Sequence, residues 1–409
     1  MRQEEGRTVK AEKEYLSQED AILRAMLLTF FLNGWTALFG TLLPFLRQAH
    51  GLNYELSGLL LSCKSVGNLA AMLGSGLLVL SLGRRRSVLL MTGGAAVSYL
   101  ILASGLGSPA LLMGACLLEG AAAGGIGNFS NTVISTLPGE KAARGFNLLH
   151  GSYAIGAFLS PLALAVCVLL WPRRGWQVMT GALCALCLVQ MAVYARMALP
   201  PDSGGGRLQA ADMSFLRDRQ FRLGTLMIFF YLAVEYTILG WLVTYFQDAG
   251  VLSPQIAQLM NSLLWLLMFA GRALGAFLAG KVSRSAILVA DGVGLLVCLL
   301  WMLSADRPWA VVLGLMGVGA FMATLYPTAF AFGSEHIKGN DLGCGVMNFI
   351  GAVGGAVAPA LVGFTAERTG NIRSGMALVA VGTALLLGSI LISVWSVRKK
   401  KTEGEENRA

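Results

Sequence analysis

Twelve apolar stretches, each long enough to cross a lipid bilayer, leave this chain few possible folds. A spanning helix needs about 20 predominantly apolar residues, and in lipid only helices and closed barrels satisfy every backbone polar group. We therefore predict an all-α membrane protein with twelve transmembrane helices. The predicted spans are residues 21–46, 56–80, 87–105, 109–136, 144–170, 176–198, 221–247, 254–280, 285–304, 308–333, 341–366 and 372–397.

The charge pattern supports these spans and orients them. Only 13% of the residues are charged, against about 25% in an average soluble domain. With the N-terminus inside, 23 of the 31 lysines and arginines lie on the cytoplasmic side, six lie outside and two lie within spans. This bias follows the positive-inside rule. We predict a multi-pass protein of the cell membrane with both termini cytoplasmic, no cleavable signal and no nucleic-acid partner.

The longest hydrophilic break divides the chain into two halves. We predict a cytoplasmic N-terminal segment at residues 1–20, a six-helix bundle at 21–198, a cytoplasmic linker at 199–220, a second six-helix bundle at 221–397 and a cytoplasmic tail at 398–409.

The two halves resemble each other in sequence. Gly40–Ala49 (GTLLPFLRQA) aligns with Gly240–Ala249 (GWLVTYFQDA), and residues 150–161 share Gly and Pro spacing with residues 348–359. Parallel six-helix repeats are typical of one large class of transporters, whose solute binds between the halves near the bilayer midplane.

Several motifs resemble one transporter family. They are Phe230-Tyr231-x3-Glu235-x4-Gly240-Trp241-x3-Tyr245, Gly317-x-Gly319-x-Phe321-Met322-x3-Tyr326-Pro327-Thr328, Asn147 to Pro161, Asn348 to Pro359, and Gly271-Arg272-x-Leu274-Gly275. With these motifs the chain resembles the major facilitator superfamily, and within it the sugar:proton symporters related to the fucose permease. The resemblance implies a twelve-helix carrier of a small solute, without cofactor or metal.

The chain departs from the family pattern in two ways. Leu80 and Ser81 stand where the loop after the second span usually carries Asp-Arg, which weakens the expected cytoplasmic charge lock around Arg84. The first span carries Asn33 and no acid, whereas the fucose permease has a carboxylate there that the resemblance would assign to proton transfer.

Two carboxylates lie inside predicted spans and are the candidate proton carriers, Glu119 and Glu235. Charged residues inside a membrane are expensive, and they usually belong to a site or a gate. The alternative for Glu119 is a carboxylate tied to a neighbouring helix. The alternative for Glu235 is an ion pair with Lys64 or Arg272 that holds one conformation.

Polar and aromatic residues inside the spans are the candidate solute ligands. Amides, phenols and carboxylates bind hydroxyl groups, and a tryptophan can stack on an apolar sugar face. His150 can titrate near physiological pH, although it can equally be a satisfied hydrogen-bonding residue. The candidates are Asn33, Asn128, Asn131, Asn147, His150, Tyr231, Glu235, Trp241, Asn261, Trp265, Tyr326 and Asn348.

Four charged residues are candidates for a gate or a charge pair: Lys64, Arg84, Arg272 and Asp291. Arg272 and Asp291 both lie towards the predicted cytoplasmic side and are plausible partners. The alternative for Lys64 is that its ammonium group snorkels to the membrane surface.

These features favour a secondary active transporter that moves a small polar solute, with a monosaccharide as the leading candidate, by proton-coupled alternating access. No phosphate-binding loop, metal cluster or catalytic constellation is recognisable, so we predict a monomeric carrier that is not an enzyme. The partners are the solute, a proton or other coupling ion, and the bilayer. An exporter of drug-like or amphipathic compounds and a membrane sensor without transport are the alternatives.

Overall fold

Thirteen α-helices build the described part of the protein. This computed structural model describes the backbone of residues 2–137, 139–199, 214–278, 281–335 and 341–406. Within these ranges it does not describe the side chains of residues 2–17, 73, 139–143, 147, 276, 278, 341, 342, 344 and 397–406. The helices are α1 Arg2–Gly34, α2 Phe39–His50, α3 Tyr54–Leu82, α4 Arg84–Ser104, α5 Pro109–Ser135, α6 Gly139–Leu170, α7 Gly175–Arg196, α8 Arg219–Asp248, α9 Pro254–Leu278, α10 Arg284–Ser304, α11 Pro308–Ser334, α12 Asp341–Thr369 and α13 Ile372–Glu406.

The described helices provide up to twelve membrane spans, as predicted. Eleven are long and apolar enough by themselves, and the twelfth is α3, whose parts Tyr54–Met72 and Gly74–Leu82 meet at a bend of 51°. The first span, Gln18–His50, joins α1 to α2 through a 3₁₀ turn at Trp35–Leu38. Hydropathy predicted the spans to within a few residues but neither the bend nor the 3₁₀ turn.

Side-chain caps fix where several helices begin. The Ser108 hydroxyl accepts the Leu111 N–H at 3.2 Å before α5. The Asp218 carboxylate accepts the Phe221 N–H at 2.7 Å before α8. Such caps satisfy backbone donors that have no partner within the first turn of a helix.

Contacts divide the chain into two compact units. One contains Met1–Leu38 and Gly67–Arg207, and the other contains Phe39–Val66 and Leu208–Ala409. In the first unit α1 packs on α6, and α4 packs on α5 and α7. In the second, α8 packs on α2, α11, α12 and α13. The division into bundles at 21–198 and 221–397 stays a prediction, and much of the linker lies outside the described residues.

The repeat seen in the sequence recurs in the packing. In the first unit a Cβ on Gly156 would lie 2.3 Å from the Phe31 carbonyl oxygen, and in the second a Cβ on Gly354 would lie 2.4 Å from the Phe229 carbonyl oxygen. The offset between the two phenylalanines equals the offset between the two glycines. Each glycine therefore allows the same close approach of the fifth span of a repeat to its first span.

Gly156→Ala is expected to lower the free energy of unfolding by about 1–3 kcal/mol, because the added methyl group overpacks the contact with Phe31. Gly151→Ala on the same helix is the matched control, since nothing lies within 4 Å of its Cβ position. Thermal unfolding of the two purified variants checks this. Equal melting temperatures for both variants would show that the crossing tolerates a side chain.

Candidate functional site

A buried carboxylate and two phenols form the centre of a polar cluster in the second unit. Glu235 of α8 is only 8% exposed. Its Oε1 accepts a hydrogen bond from the Tyr231 hydroxyl, one turn earlier on α8, at 3.1 Å. The same hydroxyl lies 3.1 Å from the carbonyl oxygen of Met322 on α11. A phenol has a single proton to donate, so the carboxylate and the carbonyl compete for it.

The cluster continues onto α12 through an amide. The Tyr326 hydroxyl of α11 donates to Oδ1 of Asn348 at 2.6 Å. The rings of Tyr231 and Tyr326 lie with their centroids 5.8 Å apart. Tyr326 and Asn348 are half-buried, so part of each stays reachable. The structure thus brings together four residues that the sequence predicted as ligands or proton carriers, on α8, α11 and α12.

A second buried carboxylate lies in the first unit. Glu119 of α5 is 1% exposed, and its Oε1 accepts a hydrogen bond from the Tyr99 hydroxyl of α4 at 3.0 Å. Asn128, further along α5, instead donates to the Ser75 hydroxyl of α3 at 2.8 Å. From α5, Glu119 therefore contacts α4 and Asn128 contacts α3. Sequence reasoning missed Tyr99, because a phenol on a separate helix gives no local signal.

The other predicted polar residues of the first unit differ in burial. His150 is exposed, and its ring meets the edge of the Phe30 ring at 5.7 Å. Asn33 is buried in the last turn of α1. Asn131 is half-buried, and its Oδ1 accepts no hydrogen bond from a described residue. The Asn147 side chain lies outside the described residues.

Two predicted ligands of the second unit hold its helices together in this structure. Asn261 of α9 is fully buried, and its Nδ2 donates to the Thr41 hydroxyl of α2 at 2.9 Å. Trp241 is 0% exposed, and its indole N–H donates to the Pro359 carbonyl at 3.0 Å. The Trp241 ring packs against Tyr54, so it presents no open face for stacking on a solute. Trp265 is half-buried on α9.

The four predicted gate residues lie in different environments. The Lys64 ammonium lies 5.3 Å from the centre of the Phe39 ring, Arg84 is buried and Arg272 is exposed. Asp291 accepts a hydrogen bond from the Thr324 hydroxyl. Among the described residues no ion pair joins Arg272 to Asp291.

Sequence reasoning missed a charged contact between two related segments. Arg47 forms an ion pair with Asp248, and its guanidinium lies 4.2 Å from the centre of the Tyr54 ring. The backbone N–H of Tyr54 donates to Glu367 at 2.9 Å. Arg47 and Asp248 lie near the ends of the two segments that align between the repeats, and this alignment is the signal that would have suggested the pair.

Up to twelve spans with an internal repeat, carrying buried carboxylates, phenols and amides within those spans, define a multi-pass membrane carrier. The chain belongs to the Major Facilitator Superfamily, whose family model matches residues 25–359. The predicted family is therefore confirmed. Members of this superfamily are carriers without enzymatic activity, so the protein is a membrane transporter and not an enzyme.

Two relatives match most of the chain. An uncharacterized MFS-type transporter of Yersinia pestis is 26% identical over 377 residues, which cover 91% of this chain and 94% of the relative. A glucose/galactose transporter of Brucella abortus is 24% identical over 378 residues, which cover 85% and 88%.

Solved structures show the same fold. A D-xylose–proton symporter superposes with a TM-score of 0.76 at 14% identity, covering 92% of this chain and 97% of the symporter. The E. coli fucose:proton symporter superposes with a TM-score of 0.63 at 18% identity, covering 92% and 99%.

Proposed function

We propose that the protein moves a small polar solute, with monosaccharides as the leading class, by proton-coupled alternating access. It does so in the cell membrane, as a monomer, with both termini in the cytoplasm. The observation that carries the proposal is the polar cluster in which the buried Tyr231 and Glu235 lie beside the half-buried Tyr326 and Asn348. Phenols, an amide and a carboxylate together provide the donors and acceptors that a polyhydroxylic solute requires.

The names of related proteins support this solute class. The Brucella abortus relative is named a glucose/galactose transporter, and two structural neighbours are named as proton symporters of xylose and fucose. A site built to hydrogen-bond hydroxyl groups rejects analogues without them, because its buried polar groups would be left unpaired. Selectivity for sugars over apolar compounds is therefore the expected property of this cluster.

In the proposal, Glu235 carries the proton and Tyr231 transmits its protonation state to α11. An ionised Glu235 competes strongly for the Tyr231 proton, because hydrogen bonds to charged groups are about twice as strong as neutral ones. Protonation weakens that competition and favours donation to the Met322 carbonyl. Glu119, with Tyr99 as its hydrogen-bond donor, is the second proposed proton carrier.

We propose that residues 39–66, packed against the helices of the second unit, form a closed gate. Asn261 with Thr41, and Arg47 with Asp248, join this segment to α8 and α9. In the proposal, these contacts break when residues 39–66 move away from α8 and α9 and the gate opens. Lys64, Arg84, Arg272 and Asp291 remain proposed gate residues. Asn33, Asn128, Asn131, Asn147, His150, Asn261 and Trp265 remain proposed ligands. Trp241 remains a proposed ligand for the open state alone, since its ring is covered in this structure.

A thermal-shift screen of the purified protein tests the solute class. Hexoses, pentoses, hexuronates and amphipathic cations are compared at pH 6 and pH 8. A ligand stabilises the folded state by mass action, so at least one monosaccharide is expected to raise the melting temperature, and by different amounts at the two pH values. Stabilisation by amphipathic cations and by no sugar would instead identify an exporter and contradict the proposal.

A further inference from the structure

A narrow cleft opens on the second unit between α8, α12 and α13. It has a volume of about 230 Å³, and its lining includes Phe230, Leu361 and Leu385. Gly382 also lines it, and its missing side chain leaves room, because a Cβ there would meet only Val234, at 3.4 Å. Leu361 is 53% exposed, so the cleft faces outward from these helices.

The described residues that line the cleft offer no free side-chain hydrogen-bond donor to an occupant. Thr237 is the lining residue with a side-chain hydroxyl, and that hydroxyl donates to the Ala233 carbonyl of its own helix at 2.7 Å. The volume is also below the range of about 300–1,000 Å³ that is typical of drug-sized ligands. The cleft therefore suits a slim hydrocarbon chain better than a polar or bulky solute.

The position of the cleft within the membrane spans also favours a hydrocarbon chain as its occupant. All of its lining residues belong to the spans Arg219–Asp248, Gly345–Thr369 and Ile372–Ser396. An outward-facing surface at this depth meets lipid and not water. A lipid acyl chain is the hydrocarbon that such a surface encounters.

A basic side chain lies on the same helix face as the cleft. Val357, Leu361, Phe364 and Arg368 follow one another on α12 at spacings of four, three and four, and all four are exposed. With a rise of 1.5 Å per residue, Arg368 lies about 10 Å beyond Leu361, at the end of the span. Its guanidinium stacks 4.9 Å from the centre of the Phe364 ring. Within the described part of the chain, no carboxylate pairs with it.

We propose that this surface binds one anionic phospholipid, with an acyl chain in the cleft and the phosphate at Arg368. The apolar cleft supplies affinity for the chain, and the guanidinium supplies preference for negative charge. Membrane-embedded arginines close to a helix end are well placed to meet headgroups, because they reach the interface. The proposal is independent of which solute the carrier moves.

Native mass spectrometry of the full-length protein in mild detergent, with added phosphatidylglycerol or phosphatidylcholine, tests the proposal. Gly382→Leu fills the cleft, since a Cβ there makes only an ordinary contact of 3.4 Å with Val234. Gly388→Leu on the same helix is its control, because nothing lies within 4 Å of that Cβ position. Arg368→Gln removes the phosphate contact, and Arg307→Gln, an exposed arginine elsewhere, is its control.

The wild type is expected to retain one phosphatidylglycerol more tightly than phosphatidylcholine. Gly382→Leu is expected to weaken that binding about tenfold or more, and Arg368→Gln to remove the preference between the two lipids, with both controls unchanged. Equal binding of the two lipids by the wild type overturns the proposal. Lipid binding that is unaltered in both Gly382→Leu and Arg368→Gln overturns it as well. If the wild type formed a dimer that Gly382→Leu lost while lipid binding stayed unchanged, the cleft would belong to a second copy, which would also overturn the proposal.

Discussion

Glu235→Gln is expected to abolish uptake driven by a proton gradient while leaving solute exchange at equal pH largely intact. The glutamine keeps an acceptor for Tyr231 but mimics a permanently protonated carboxyl group. The charge of an ionised carboxylate inside the membrane costs about 2.5–3.5 kcal/mol on insertion scales, which corresponds to about 100-fold in an equilibrium. In the wild type, this cost makes the return of the solute-free carrier depend on whether Glu235 is protonated. The glutamine variant carries no charge at this position, so its return no longer depends on protonation. Uptake and counterflow in proteoliposomes separate the two activities.

Two further carboxylate variants show whether the loss of uptake is specific to the proposed proton carriers. Glu335→Gln neutralises an exposed carboxylate that pairs with Arg284 at 3.3 Å, and it is expected to leave uptake unchanged, because surface ion pairs contribute about 0–1 kcal/mol. Glu119→Gln tests the second proposed carrier in the same assay. Normal gradient-driven uptake in both Glu119→Gln and Glu235→Gln would contradict the proposed proton coupling, whatever the solute.

Tyr326→Phe is expected to weaken solute binding by about 10–100-fold. It leaves the ring in place but removes the hydroxyl that reaches Asn348 and, in the proposal, a solute hydroxyl. Once a bound solute covers the half-buried Asn348, leaving its amide unsatisfied costs about 1–3 kcal/mol, and each 1.4 kcal/mol is about tenfold in affinity. Titration calorimetry with the sugar that stabilises the wild type measures the change in Kd.

Thr383→Val is the matched control for this change. It also removes a buried hydroxyl, but one that donates to the Val379 carbonyl of its own helix, α13, at 2.8 Å. Its Kd is expected to stay within about twofold of the wild type, because no solute group is involved. Equal Kd values for Tyr326→Phe and the wild type would place the solute away from the α11–α12 cluster.

Hydropathy alone was sufficient to predict the spans, because a bilayer imposes a minimum length of apolar helix. It could not predict the bend in α3 near Gly74, where the helix stays apolar on both sides. Nor could it predict that Phe39–Val66 packs with the second half of the chain. Packing partners depend on which faces meet in three dimensions, and a count of apolar residues along the chain does not contain that information.

The candidate site was predictable where helical spacing or the repeat carried the signal. Tyr231 and Glu235 are four residues apart on one helix, so their hydrogen bond follows from local geometry. Tyr99, which donates to Glu119, comes from another helix and was missed. Trp241 was predicted as a stacking surface from its residue type, but its burial depends on Tyr54 and Pro359, which lie far away in sequence.

Proton movement measured together with solute movement tests proton coupling most directly. The wild-type protein is reconstituted into vesicles that contain a pH-sensitive dye, and the stabilising sugar is added outside at equal pH. We expect acidification of the vesicle interior that depends on the sugar and is absent in Glu235→Gln. Sugar entry without any change in internal pH in the wild type would contradict proton coupling.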